Sequence, residues 1–353
     1  YLFFSYFLDR FGEESTKALI SHDENGFASI DLVSQELQLI NPTTGKPYTG
    51  VDQFVDWTVA TFLNDPAVED GRYAYQSYTP YSISPETYVD DCPSTVTADV
   101  SQFGTDYIEI SCFGQHSLHF QGKTEVGLLP FGSPTSGDYF FWSNAGDESN
   151  PRLSQTFDLT KVSGPVSLEF KTWYDLEVDY DYVFISASVD GQRWDILKSQ
   201  TCTSENPSGN SYGCGWNGES YGWIDESVDL SPYAGKKVTI QFDYVTDAAV
   251  NGKGFTLDDF KIDAIGYHSD LESDEGGWRP EGFVRVQNTL PQSYAVTIIR
   301  QGRNTSVERL TLDEFNEGRL DFKIGSETRK IIVVISGTTP ITRETAAYQL
   351  QID

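Results

Sequence analysis

The first 65 residues carry apolar side chains at helical spacing. In YLFFSYFLDRFGEE, Leu2, Tyr6 and Phe11, together with Phe3, Phe4, Phe7 and Leu8, occupy most of the circumference of one helix. A helix over Tyr1–Glu14 that is apolar nearly all round belongs inside a larger body. Ser29 stands where a cap is expected for IDLVSQELQLI, with Ile30, Val33, Leu37 and Ile40 in helical register. Asn41-Pro42 opens a loop, and VDQFVDWTVATFLND predicts a third helix with Val51, Phe54, Val55, Val59 and Phe62 along one stripe. From about residue 70 the pattern switches to short alternating stretches rich in Tyr, Thr and Ser and broken by Gly and Pro. SLEFKTWYDL, YDYVFISASVD, KKVTIQFDYVTD and GFTLDDFKID predict the strands of a jelly-roll β-sandwich. HSDLESDEGGW reads as an acidic linker, and six further alternating stretches from EGFVRVQNTL to AAYQLQID predict a smaller all-β module. The expected fold is mainly β with an N-terminal helical segment. Its expected parts are a helical segment (1–70), a connecting segment with short strands (71–130), a jelly-roll β-sandwich (131–265), the linker (266–277) and a small C-terminal β-sandwich (278–353).

Charge narrows the function classes. The 353 residues include 24 Lys and Arg against 53 Asp and Glu, a formal charge of −29. Such a surface repels phosphate backbones and anionic lipid, which argues against nucleic acid and membrane-surface partners and favours divalent cations. No stretch approaches the roughly 18 apolar residues of a membrane span. The four cysteines fall into two local couples around polar segments, Cys92 with Cys112 and Cys202 with Cys214. Of the three possible pairings only this one closes two short loops, so two disulfides and an oxidising, extracellular location are expected. The chain has no methionine and opens inside an apolar run, from which a piece of a longer, secreted polypeptide is expected.

No catalytic constellation is complete. HExxH and a P-loop are absent from the sequence. His116 and His119 lie three apart in an expected strand and would point to opposite faces, unsuited to one zinc ion. Carboxylates do cluster: Asn144, Asp147 and Glu148 in one loop, Asp175, Glu177, Asp179 and Asp181 at period two, and Asp258 with Asp259. Alternate strand residues share a face, so four like charges would repel unless a cation such as calcium, which takes six to eight oxygen ligands, lay among them. A solvated acidic face is the competing reading. Asp270, Glu272, Asp274 and Glu281 fall at EF-hand-like positions in the linker, but Glu275 stands where that loop needs glycine.

The stretch from GDYFFWSNAGDESNPRLSQTFDL through LEFKTWYDLEVDYDYVFISASVDGQRWDIL to GWIDESVDLSPYAGKKVTIQFDYVTDAAVNGKGFTLDDFKID resembles the C-terminal β-module of immune inhibitor A-like metallopeptidases. These are secreted bacterial zinc enzymes. YLFFSYFLDRFG and VDQFVDWTVATFLNDP are similar to the lower helical half of a thermolysin-like catalytic domain, and IIVVISGTTPITRETAAYQLQI resembles a small closing β-module. The resemblance implies calcium ligands at Asn144, Asp147, Glu177, Asp181 and Asp258, and zinc only in an N-terminal part that carries HExxH. Without HExxH the chain alone is expected to be inactive, and Tyr1–Glu14 is expected to be covered by that N-terminal catalytic-type domain or by a neighbouring subunit. Two other readings compete: a module that binds a glycan or other cell-surface polymer, with Trp216, Tyr221 and Trp223 stacking on sugars, and a structural subunit of an extracellular filament or surface layer.

Overall fold

A computed structural model of the chain describes residues 1–24 and 26–353. They form two compact units, Tyr1–Val126 with Leu290–Asp353 (unit 1) and the intervening Gly127–Thr289 (unit 2). The chain is mainly β with N-terminal helices, as its apolar pattern requires, but the expected segmentation is replaced. The helical segment, the connecting segment and most of the C-terminal module are parts of unit 1, because their strands share sheets.

Three helices open unit 1: α1 (Leu2–Ile20), α2 (Gly26–Glu36) and α3 (Gly50–Leu63). Helix α1 outruns the expected Glu14 and is interrupted at Gly12, whose φ of 80° needs a residue without Cβ. Ser29 does not cap α2; it lies inside the helix and donates to the Gly26 carbonyl at 2.7 Å. Thr49 caps α3 in a capping box with Asp52, and Asn64 ends the helix in the left-handed region. Phe7 is fully buried and Phe3 packs edge-on to Trp57 at 5.6 Å, whereas Tyr1, Phe4 and Leu8 are exposed along one face of α1.

The sheets of unit 1 mix distant segments. One sheet runs Thr87–Val89, Asp106–Ile110, Thr328–Gly337, Tyr294–Gly302, Ser306–Arg309, and the other Ser94–Val100, Ala346–Ile352, Gly114–Gly122, Glu317–Ile324. The Thr328–Gly337 strand explains the layering. Ile331, Val333 and Ile335 join the core between the sheets, while Ile332 and Val334 pack with Val59 of α3. An apolar run without alternation is the mark of a strand covered on both faces. Unit 1 is therefore a helix layer on a β-sandwich, and residues 71–130 supply strands to both sheets instead of a connection.

Unit 2 is a sandwich of two sheets. One orders Ile224–Asp229, Ser167–Asp175, Gly254–Ile262, Tyr139–Trp142, Val284–Gln287, and the other Asp195–Ile196, Tyr182–Ser188, Lys237–Val245, Arg152–Asp158, Arg279–Glu281. Phe170, Leu257 and Phe260 from the first meet Ile185, Ile240 and Phe242 from the second in one core. The expected linker is structural. Tyr267–Ser269 pairs with Gly254–Ile262, and Leu271 and Trp278 are buried in the sandwich core. Both disulfides form as expected, Cys92–Cys112 in unit 1 and Cys202–Cys214 in unit 2.

The shared layer predicts coupled stability. Ile332→Ala should destabilise unit 1 by roughly 2–5 kcal/mol, the cost of a core cavity. Amide protection in α3 should fall together with that of the Tyr294–Gly302 strand. Hydrogen exchange that leaves α3 unchanged while the sheet loosens would make the helices a separate folding element.

Candidate metal centre

Two carboxylates of the expected row are brought together by a turn. The Ser167–Asp175 strand stops at Asp175, and residues 177–181 are not extended, so the four acidic residues do not share a strand face. Val178 and Tyr180 between them are solvent-exposed and offer nothing to hold an edge strand in place. Asp179 sits at φ 72°, a conformation Asp tolerates better than most residues. The Asp181 amide donates to the Glu177 carbonyl at 3.2 Å, one helical turn apart in sequence, which directs Glu177 and Asp181 to the same place.

Asn217 clamps this turn. Its Nδ2 donates to the carbonyls of Glu177 (3.2 Å) and Asp181 (2.9 Å), and its Oδ1 accepts from the Asp179 amide (3.1 Å). Asn217 is itself fixed by the preceding loop. Trp216 exchanges two backbone hydrogen bonds with Val183, Gly215 exchanges two with Thr203, and Cys202–Cys214 closes the stretch. The disulfide thus acts on the turn through the residue that clamps it.

Asp247, beyond the Lys237–Val245 strand, completes the group. One carboxylate oxygen each from Glu177, Asp181 and Asp247 lies within 4.8 Å of the other two. Asp181 is fully buried, accepting from the Asp247 amide (3.1 Å) and the Tyr244 hydroxyl (3.2 Å). Burial pushes its carboxyl up to about 6, with the neighbouring charges of Glu177 and Asp247 adding to the effect and those two donors opposing it. Glu177 is also shifted upward, by desolvation first and then by Asp247 and Asp147, and its Oε2 is buried without a hydrogen-bond donor. Two glycines let the 247–254 loop approach: a Cβ on Gly252 would stand 2.1 Å from the Asp175 carbonyl oxygen, and one on Gly254 2.4 Å from that of Asn144. The donors are hard oxygens carrying three formal charges, a set suited to calcium or magnesium and unsuited to a thiolate- and imidazole-seeking ion.

The other predicted residues lie elsewhere or hold other partners. Asp147 borders the group and accepts from Asn251 at 2.8 Å. Asn144 donates its amide to the Gly282 carbonyl at 2.8 Å. Asp258 pairs with Lys171 on the strand, four residues past the Gly254↔Asp175 pair, and is outside the group; it accepts from the Asp259 amide at 2.7 Å. Glu272 of the EF-hand-like run is consumed by the amides of Asp138 (2.9 Å) and Tyr139 (2.8 Å). His119 faces Glu317 at 3.1 Å, and the potential ligands grouped with His116 are the Cys92 and Cys112 sulfurs, which are disulfide-bonded and not thiolates. Trp216 is a core residue whose Nε1 donates to Glu226 at 2.9 Å, and Trp223 packs on Phe131 at 5.1 Å. Of the three expected stacking aromatics only Tyr221 stands free. Asp247 is absent from the sequence-based ligand set. Its signal was its place just past an alternating strand and before a Gly-bearing loop, legible only once the turn at 177–181 is known.

The family described as "Immune inhibitor A-like, MAM domain" matches residues 129–288, nearly all of unit 2. Unit 2 is thus similar over nearly its whole length to an immune inhibitor A-like MAM domain, and we refer to it as the MAM domain. The likeness read from the sequence over 137–263 therefore holds and extends beyond both ends. Pre-pro-metalloprotease PrtV of Vibrio cholerae serotype O1 is 31% identical over 154 residues, 43% of this chain and 16% of that protein. Immune inhibitor A of Bacillus thuringiensis is 32% identical over 160 residues, 44% of this chain and 22% of its own length. Bacillopeptidase F of Bacillus subtilis is 29% identical over 134 residues, 38% of this chain and 8% of its length. The matched stretch is thus a small part of each relative.

Asp258 gives the MAM domain a pH signature away from the carboxylate group. Burial, then the charge of Asp259, pushes its carboxyl up to about 7. A carboxyl raised on folding binds its proton more tightly in the native state, so its stabilising contribution is complete below about pH 4 and is lost as pH rises towards 7. In chelator, urea denaturation at pH 5 and pH 8 should show the MAM domain weaker at pH 8, and Asp258→Asn should reduce the difference. An unchanged difference in the variant would show that Asp258 does not titrate there.

Proposed function

We propose that this chain is a non-catalytic portion of a secreted zinc metallopeptidase of the immune inhibitor A-like kind, and that its MAM domain is an accessory module stabilised by calcium at Glu177, Asp181 and Asp247. The observation that carries the reading is the buried, donorless Glu177 Oε2 beside two further carboxylates. Crowding of this sort is costly without a cation and favourable around one, because a divalent ion inverts the local charge balance. Calcium accepts the irregular, flexible oxygen shell that a turn and a loop end provide, whereas magnesium demands a near-octahedral one.

The wider role follows from the relatives, two of which bear metalloprotease or immune inhibitor names and align over less than half of this chain. Catalysis and its zinc belong, in this reading, to a catalytic-type domain that unit 1 adjoins and whose cleft the helices complete. Tyr1 (93% exposed), Phe4 and Leu8 on α1 are the side chains it would cover. The two disulfides fit extracellular service. Among the described residues no helix is long and apolar enough to cross a membrane.

Calorimetric titration of chelator-treated protein should give one calcium per chain, with a higher melting temperature for the MAM domain. At a calcium concentration a hundred times Kd the gain is about 2.7 kcal/mol. Glu177→Gln should show opposite signs in the two conditions: at least as stable as the parent in chelator, where a repulsive charge is removed, and less stable in calcium. Indifference of the melting temperature to calcium, or full binding by the variant, sinks the proposal. The chain should also fail to hydrolyse casein when zinc is supplied, since it has no residue set that binds zinc and activates its water. Chelator-sensitive cleavage by the purified chain would contradict the non-catalytic assignment.

A further inference from the structure

Unit 1 encloses a cavity of about 320 Å³ between α3, the 41–44 turn, Arg72 and the strands Tyr294–Gly302 and Ser306–Arg309. Its walls are aliphatic where Val55, Val59 and Val307 line it. Three donors in it lack acceptors. Thr297 takes its orientation from the alternation of its strand. Val296 and Ile298 fill the core between the sheets, and Ala295 and Ile299 pack against α3, so Thr297 also faces the helix layer. It is only 4% exposed, and its hydroxyl has no hydrogen-bond partner. Buried hydroxyls in such positions are almost always bonded, so this one is an open valence. Arg72 is 7% exposed. Its terminal nitrogens reach Thr43 (3.2 Å) and Asp70 (3.4 Å), while its Nε–H is buried without a hydrogen-bond partner, 3.8 Å from the Asp56 carboxylate. Arg309, at the rim, makes no side-chain hydrogen bond or ion pair among the described residues.

The carboxylates at the same cavity are already engaged. Asp52 closes the α3 capping box, accepting from the Thr49 amide and hydroxyl at 3.2 and 2.8 Å. Asp56 accepts from the Tyr48 hydroxyl at 3.1 Å and lies 3.8 Å from Arg72 Nε. Glu308 is paired with Arg300. What remains is a set of donors without hydrogen-bond acceptors, two of them on guanidinium groups, beside an apolar wall. The complement of that surface is an acceptor-only head on a short branched hydrocarbon.

We propose that this cavity binds an aliphatic carboxylate, its oxygens taking the hydrogens of Thr297 Oγ1, Arg72 Nε and the Arg309 guanidinium and its tail lying on Val55, Val59 and Val307. A free branched-chain acid and the C-terminal residue of a peptide ending in Leu or Val share this chemistry. The volume sits near the lower end of ligand pockets, roughly 300–1,000 Å³, and suits a molecule of that size. The site lies in unit 1 and is independent of the carboxylate group in the MAM domain.

The test is calorimetric titration of the full chain with isovalerate, isovaleramide, N-acetyl-Gly-Leu and its C-terminal amide, in calcium and again in chelator. At least one acid should saturate at one site per chain, and the matching amide should bind about tenfold more weakly or not at all, the loss expected for a charge-assisted contact. Arg309→Met should weaken the acid by a similar factor. Thr297→Val should weaken it several-fold while keeping or raising the melting temperature, since an unpaired buried hydroxyl is replaced by a methyl of the same shape. Binding of isovalerate alone identifies a free acid, and binding of the dipeptide acid identifies a peptide end. Amides as tight as acids, unaltered affinity in both variants, or no saturation by either acid would each overturn the assignment.

Discussion

Burial of one strand on both faces holds unit 1 together. Ile331 to Ile335 cannot satisfy their apolar side chains with a single partner layer, since successive residues point to opposite sides of the sheet. The second β-sheet covers one side and α3 covers the other. Helix α3 and two strands of the second sheet, Ser94–Val100 and Gly114–Gly122, come from the far side of unit 2 in sequence. The N-terminal helices and the C-terminal strands are therefore a single energetic object, and unit 2 is an insertion into it. The chain leaves for unit 2 after Glu125–Val126 and returns at Leu290–Pro291, which pair with each other and bring the two ends of the insertion together.

The two polar features follow from the same two-sided constraint, applied in opposite senses. In the MAM domain, acceptors accumulate at loop ends: Glu177 and Asp181 from a clamped turn and Asp247 from a strand end, with a buried oxygen left over. In unit 1, donors accumulate under the helix layer: a threonine where its strand neighbours are apolar, an Arg72 Nε–H without a hydrogen-bond acceptor and an Arg309 guanidinium at the rim. One excess calls for a cation and the other for an anion. Both are read by accounting for each buried polar group, the rule that most native groups obey.

The sequence by itself determined the elements and the family likeness of unit 2. Three helices, the strands of both sandwiches and the two disulfides follow from periodicity, turn residues and cysteine spacing. The likeness to the β-module of immune inhibitor A-like metallopeptidases follows from long motifs kept in order. These are local properties, fixed by residues a few positions apart. Tertiary structure decided what is shared between distant segments. Residues 71–130 read as a connection because their strands are short and polar on one side, yet they are completed by residues above 290. The acidic 266–277 stretch read as a linker, yet Leu271 and Trp278 anchor it in a core. The sequence pattern places Glu177 and Asp181 on one strand face, but an α-turn, set by Asn217 some forty residues away, is what makes them converge. Asp247 joins them only through the folded sheet, and Asp258 leaves the set for the same reason. Composition counts charges without locating them, and a site is a matter of which charges are left unpaired once the chain has closed on itself.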